Sequence, residues 1–315
     1  MSKPFLFHGN ERILLTGGTG SLGKRFISRA LEHIPHGTIC IFSRDEYKQH
    51  EMRQNGYNDP RLRWFVGCVR DRERVMRAMD RVTLVVHAAA MKQVATGIEH
   101  DIEVVKTNIH GTMSVIDAAV AHNSVRKMVF ISSDKAVEPV NLYGMTKAVG
   151  EHMTREAGKY TRRHCEFCAV RYGNVIGSRG SVIEKWRNGG AVSLTKGSMT
   201  RFWLTLDDAV DLIFHAIQHG QSGDVFIPKA KACDMRTVAR VLSVTPGEPA
   251  EHGMGWTEKE HECLVGWEES AYCADRDGPY LRINKAHEQG KRFCMTSDGV
   301  ESPMTDDEFR RVVGR

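Results

Sequence analysis

Tyr143 and Lys147 stand four residues apart where a helical pattern begins, so their side chains share one face. A phenol has a reference pKa of about 10, and a lysine ammonium close by favours the phenolate. That pair suits a base acting on a substrate hydroxyl. A second motif supplies the matching hydride acceptor. Ile13-Leu14-Leu15-Thr16 leads into Gly17-Gly18-Thr19-Gly20-Ser21-Leu22-Gly23. Glycines at this spacing permit a tight turn, let backbone approach a pyrophosphate, and let a helix pack on a strand. The phosphates then meet free N–H groups at the helix N-terminus. A nicotinamide held there would take the hydride, and its positive charge would further favour the phenolate.

The choice of dinucleotide is read at the end of the second strand. An NAD site usually places an acid there for the ribose 2′-hydroxyl. Here the strand ends as Phe42-Ser43-Arg44-Asp45-Glu46-Tyr47-Lys48. Arg44 can stack on adenine and fork onto a 2′-phosphate, with Ser43 and Lys48 as further donors. NADP is the expected cofactor.

Positioning these groups requires an alternating α/β chain. Short apolar runs at Ile13–Leu15, Ile39–Phe42, Leu84–Val86 and Met128–Ile131 read as buried parallel strands. Amphipathic stretches near 21–33, 46–55, 71–79, 101–122 and 143–159 read as the helices between them. The fold class is therefore α/β, a doubly wound parallel sheet of Rossmann type with right-handed crossovers. After Arg171 the pattern loosens. Thr205-Leu206-Asp207-Asp208 opens a helix ending near Gly220, and a strand at 225–227 and a helix near 234–242 follow. Thr305 opens a short last helix. Residues 1–175 are expected to bind the cofactor, and 176–315 to form a small substrate lobe interleaved with them.

Composition excludes other classes. With 41% hydrophobic and 26% charged residues the chain is ordinary globular material. The net charge of +5 fits a polyanionic small ligand, and the scattered Lys and Arg residues argue against nucleic acid. No apolar run reaches ~18 residues, so no membrane span is expected. Eight irregularly spaced cysteines without a basic-then-apolar leader suit reduced thiols in a cytoplasm. Cys165 and Cys168 lie three apart in an expected strand, on opposite faces, which argues against a metal or redox pair.

At greater length the chain resembles the inverting UDP-N-acetylglucosamine 4,6-dehydratases of the short-chain dehydrogenase/reductase superfamily. The resemblance rests on Thr16–Gly23, Ser43–Gln49, Asn58–Arg61, Ala88–Lys92, Lys106–Ile109, Ser133–Ala136, Asn141–Gly144, Val170–Val175, Gly177–Ser181 and Met199–Trp203, from residue 12 to about 240. Asp134-Lys135 is its most diagnostic pair: retaining dehydratases are expected to carry Asp-Glu there, and epimerases typically neither. The resemblance implies a UDP-sugar substrate oxidised at C4, which acidifies the C5 proton. Lys135, if neutral, would remove it, while Asp134, if protonated, would donate to the departing C6 hydroxyl. Both roles require shifted pKa values.

These readings assign the catalytic site to Ser133, Asp134, Lys135, Tyr143 and Lys147. The cofactor falls to Gly17, Thr19, Gly20, Ser21, Leu22 and Gly23, then to Ser43, Arg44, Lys48, Gly67, Cys68 and Ala88. Lys92, Asn108 and Val175 complete its surroundings together with Tyr143 and Lys147, and Asn108 should support the tyrosine. By resemblance the UDP-sugar falls to Lys92, Asn174, Ile183, Thr200 and Glu258. No metal site is expected. Arg201 is either a surface arginine beside two aromatics or a phosphate contact. A homo-oligomer is implied.

Two departures bear on substrate and cofactor. Where the family usually has Gly-Asp after the third strand, with the acid on the adenine amino group, this chain has Gly67-Cys68. The family motif Gly-x-Arg-Pro-Gly-Glu-Lys-x-His-Glu, with its Arg and first Glu on the nucleotide, reads here Gly253-Met254-Gly255-Trp256-Thr257-Glu258-Lys259-Glu260-His261-Glu262. Gly255 replaces a phosphate clamp. A C4 epimerase or retaining dehydratase is the alternative within the same chemistry. A non-catalytic NADP-sensing scaffold is the alternative outside it, opposed by the intact Tyr143 and Lys147.

Overall fold

A nine-stranded sheet runs through the chain in a computed structural model that describes residues 8–93, 99–160, 165–187, 196–242, 255, 257–274, 278–287 and 292–314. Six strands follow the chain: β1 (Arg12–Thr16), β2 (Thr38–Ser43), β3 (Leu62–Val66), β4 (Leu84–His87), β5 (Lys127–Ile131) and β6 (Glu166–Val170). Their order in the sheet is β3-β2-β1-β4-β5-β6, all parallel. The order reverses between β1 and β4. In open α/β sheets the crevice beyond the strand ends at such a reversal is where ligands bind.

The apolar runs bury both faces, and alternate residues feed two cores. Ile13, Leu15, Ile39, Ile41 and Val129 pack on one side with Phe26 and Ile27 of helix α1 (Ser21–His33). Leu14, Cys40, Phe42, Val85 and Met128 pack on the other. Cys165 and Cys168 divide between these two cores, as strand alternation requires.

The other connections are helices α2 (Glu46–Gln54), α3 (Arg72–Ala78), α4 (Asp101–Val105), α5 (Gly111–Ala121) and α6 (Leu142–Ala157). The single helix expected over 101–122 is interrupted by a π-helical turn at Lys106–His110, which carries Asn108. Such turns insert an extra residue and often mark functional sites.

The later half of the chain contributes to both the sheet and the lobe. β9 (Val225–Pro228) adds parallel to β6, and β13 (Tyr280–Ile283) and β12 (Cys273–Ala274) follow antiparallel. Helix α8 (Leu206–His219) starts with the Thr205–Asp208 capping box expected of it. Its Asp207 and Asp211 pair with Arg25 and Arg29 of α1. The lobe holds β7 (Asn174–Val175), helix α7 (Val182–Arg187), β8 (Thr200–Leu204), β10 (Lys231–Asp234), helix α9 (Met235–Val241), β11 (Cys263–Val265), β14 (Met295–Thr296) and helix α10 (Asp306–Val313). Trp186, Trp203, Val238 and Phe309 fill its core.

Candidate active site

The glycine loop has the shape a pyrophosphate needs. Gly17 sits at φ +70°, and a Cβ there would meet the Ala89 backbone at 2.9 Å. A Cβ on Gly23 would lie 2.5 Å from the Gly18 carbonyl oxygen, so only glycine lets α1 start so close to the turn. Gly20 caps α1 with no side chain on its N–H groups, which leaves the first turn open to an anion. Ser21 Oγ accepts from the Arg179 N–H at 3.0 Å, and Leu22 packs against the core. Thr19 Oγ1 meets Ser43 Oγ at 2.8 Å, tying the loop to the end of β2.

Beyond β2, Arg44 is exposed and makes no hydrogen bond or ion pair among the described residues. Lys48 differs from expectation. Its ammonium pairs with Asp45 at 2.6 Å, which engages the donor meant for a 2′-phosphate. Arg179, to which the sequence assigned no role, comes within electrostatic reach of the same Asp45. Gly67 donates to the Ser43 carbonyl at 3.1 Å, and Cys68 Sγ accepts from Arg70 Nε at 3.1 Å. Ala88 N donates to the Thr16 carbonyl, which holds the end of β4 against β1.

Asp134 and Lys135 form a single 3-10 turn directly after β5. Asp134 is 1% exposed, and its Oδ1 accepts from Ser133 Oγ at 2.8 Å and Lys135 Nζ at 3.2 Å. Its Oδ2 is buried without a partner among the described residues. Burial holds the Asp134 carboxyl above the ordinary carboxylate range, against the pull of the Lys135 ammonium. A carboxyl so placed is more readily protonated than an exposed one.

Lys135 Nζ lies 3.2 Å from Asp134, 3.0 Å from Glu262 Oε1 and 3.5 Å from Asn174 Oδ1. Burial disfavours its charge, but the two carboxylates outweigh that and hold the ammonium above the ordinary lysine range. The neutral lysine expected from the chemistry is therefore not the resting form.

The tyrosine–lysine pair also differs from expectation in its electrostatics. Burial raises the Tyr143 phenol, and the cation that opposes this is Lys135 rather than Lys147. Lys147 donates to the Ile131 carbonyl and lies 4.1 Å from the centroid of the Phe130 ring. Burial pulls its ammonium down to about 7, with Glu151 opposing. Asn108 supports this helix: it donates to Thr146 Oγ1 at 3.0 Å, and exchanges two hydrogen bonds with the Met91 backbone.

A cavity of about 200 Å³ opens beside Lys135. Asn141, Asn174, Arg201, Thr257, Glu258, Lys259 and Glu262 line it with Lys135 and Val140. Asn141 caps α6 by accepting from Gly144 N, and its amide donates to the Thr257 carbonyl at 3.0 Å. Lys259 donates to the Val137 carbonyl, so the segment around 257–262 is anchored over the Asp134–Lys135 turn. Lys135, Arg201 and Lys259 put three cations around this space, against two carboxylates.

The family model described as polysaccharide biosynthesis protein matches residues 13–283. The chain belongs to this family. An inverting UDP-N-acetylglucosamine 4,6-dehydratase from Campylobacter jejuni serotype O:2 is 41% identical, over 96% of this chain and 97% of that protein. A UDP-glucose 4-epimerase from Rickettsia felis is 39% identical, over 87% and 83%. Among solved structures, Pen from Bacillus thuringiensis is 31% identical with a TM-score of 0.88, covering 98% of this chain and 97% of that one. A dTDP-glucose 4,6-dehydratase from Streptomyces venezuelae, at 22% identity and TM-score 0.66, shares the fold.

For a polysaccharide biosynthesis protein of this kind, several expected substrate residues sit differently. Ile183 is 1% exposed and packs inside the lobe core, where the helical spacing of α7 turns it inward, so its side chain is not on the cavity wall. Thr200 bonds His261 and Ser297 at 2.8 and 2.6 Å, joining β8 to the cavity segment. Val175 pairs with Leu204 beside Asn174. Lys92 is exposed, within electrostatic reach of Glu184. Arg201, left open by the sequence, is 13% exposed and lines the cavity, so it is no surface arginine. Trp256 lies outside the described residues. Glu262, to which the sequence assigned no role, lines the cavity and pairs with Lys135. Its signal was present, since it closes the quoted Glu260-His261-Glu262 run, but nothing local ties it to Lys135.

Proposed function

We propose that the chain removes water across C5 and C6 of UDP-N-acetylglucosamine and inverts C5, with NADP as cofactor recycled in each turnover. The observation that carries this reading is the pair of buried Asp134 and half-buried Lys135, at a cation-rich cavity near Tyr143. Epimerisation at C4 needs a base at one carbon only and gives no work to a second acid–base pair. The same pair separates this reading from the one suggested by the rickettsial relatives' name.

When bound, the nicotinamide would accept a hydride from C4 and later return one at C6. Tyr143 takes the C4 hydroxyl proton. Lys147, buried and linked to the Ile131 carbonyl, fixes the helix start that aims the phenol. Lys135, once deprotonated, removes the acidified C5 proton. Asp134, whose burial makes its carboxyl easier to protonate, gives a proton to the departing O6, which leaves as water. Arg201 and Lys259 supply positive charge for the diphosphate.

Incubation with UDP-N-acetylglucosamine and NMR of the product test the reading. The expected product is a 4-keto-6-deoxy sugar with inverted C5. A C4 epimer, or retained C5, would replace it with the alternative. Preference for NADP rests on Arg44 and the absence of an acid at the end of β2. Native protein should bind NADP more tightly than NAD by calorimetry, and Arg44→Ala should remove the difference; equal native affinities would overturn the choice. We propose further that the protein is a cytoplasmic homo-oligomer with its cofactor unit in residues 1–175, and a light-scattering mass of one chain would refute the oligomer.

A further inference from the structure

Lys135 cannot act as a base while it holds its own proton, and its surroundings show where that proton can go. Among the described residues, three groups lie within 3.5 Å of its Nζ: Asp134, Asn174 and Glu262. Asn174 is an amide and takes no proton. Asp134 must already hold one if it is to protonate the leaving hydroxyl. Glu262 remains. It is 3% exposed, its Oε1 lies 3.0 Å from the ammonium, and its Oε2 is buried with no partner among the described residues. The other charges facing this cluster are Arg201, 3.8 Å from the same Oε1, and Lys259. Tyr143 faces Lys135 from α6.

We propose that Glu262 is the proton partner of Lys135, receiving the ammonium proton so that the free amine can act at C5. This rests on the dehydratase reading above. The steps balance. An N–H bond of Lys135 breaks as an O–H bond forms on Glu262, which turns an ion pair into two neutral groups. The amine then takes the C5 proton. The C5–H electrons form the C5–C6 double bond, the C6–O bond breaks with its pair on oxygen, and that oxygen takes the Asp134 proton and leaves as water. Glu262 is buried, so it keeps the proton beside the lysine until the site is reset. In the resting protein Lys135 and Arg201 hold this carboxyl below its ordinary range despite burial, so charge must be drawn from it before transfer. An anionic substrate engaging Arg201 would do so.

The test uses the full chain, with Glu262→Gln and Glu262→Asp. Gln keeps the shape and a hydrogen bond but cannot receive the proton. With UDP-N-acetylglucosamine, Glu262→Gln should lower kcat by about a hundredfold or more with KM within about threefold, in line with the loss of one acid–base group. Glu262→Asp should recover part of that rate. The Lys135 side chain, followed by NMR of ¹³Cε-lysine protein and assigned by its loss in Lys135→Arg, should titrate at lower pH in Glu262→Gln than in native protein. A Gln variant with native kcat, or with raised KM and native kcat, would mark Glu262 as an anchor and overturn the proposal. So would an unmoved Lys135 titration. If native protein yields no dehydrated product, the dehydratase reading fails separately, and the titration still judges the pairing.

Discussion

At the scale of single residues, the site is a problem in where protons sit. Asp134 and Lys135 are adjacent in sequence, yet burial and charge push both toward keeping a proton. On the proposed reading that suits Asp134 as the acid, and Lys135 would have to be unloaded before it could act as the base. Lys135→Ala should leave affinity for the nicotinamide dinucleotide within about twofold, since the lysine lies at the cavity and not on the glycine loop. It should lower water loss by at least about a hundredfold and abolish deuterium uptake at C5 from heavy water. Deuterium entering C5 at the native rate would show that another group is the base. The pair was legible in the sequence because its diagnostic spacing is local. The charge state of Lys135 was not, because Glu262 reaches it from a segment far along the chain, after the last strong periodicity.

At the scale of elements, the site depends on how β1, β4 and α5 meet at the reversal of the sheet. His87, the last residue of β4, is fully buried and bridges Thr16 of β1 at 2.6 Å and Thr112 of α5 at 3.0 Å. Burial, with Lys147 adding repulsion, pulls this imidazole down to about 3 from 6.5. Its folded pKa is depressed, so the neutral ring stabilises the fold above pH 6.5. As pH falls from 6.5 toward 3 the unfolded chain takes up a proton that the folded one refuses, and stability drops. The loss is about 1.4 kcal/mol per pH unit across that window, to a total of roughly 5 kcal/mol. Urea unfolding of native protein and His87→Gln at pH 7.5, 6 and 5 should therefore show the native advantage shrinking with acidity. Parallel pH dependences would reject the assignment. Strands and helices on this side were readable from apolar runs and from period-2 alternation, as the division of Cys165 and Cys168 between two cores illustrates. The π-helical turn was not, because one extra residue at Lys106–His110 leaves the apolar pattern of the flanking helices intact.

At the scale of the whole molecule, the cavity exists because a late segment of the chain lies over the end of an early sheet. Asn141 to Thr257, Lys259 to Val137 and Thr200 to His261 fasten that segment. Arg171 holds the layer beneath through Glu151, Glu269 and the Leu264 carbonyl. Gly255 stands at the start of this segment, where the family motif has arginine. It is exposed, and among the described residues a Cβ there would find Thr257 Oγ1 at 3.9 Å and nothing nearer. Thr257 and Glu258, which follow, line the cavity. An arginine at 255 therefore has room to extend without displacing the fastened residues. A guanidinium on a diphosphate makes charge-assisted, often bidentate bonds, each worth about 1.5–3 kcal/mol. Since about 1.4 kcal/mol is a decade in affinity, Gly255→Arg should tighten UDP binding by about tenfold or more. The gain should shrink as salt rises, because the added contact is electrostatic and reaches the cavity from an exposed position. Calorimetry of UDP with both forms at low and high salt checks this. An affinity that does not change would mean the diphosphate lies beyond the reach of this position.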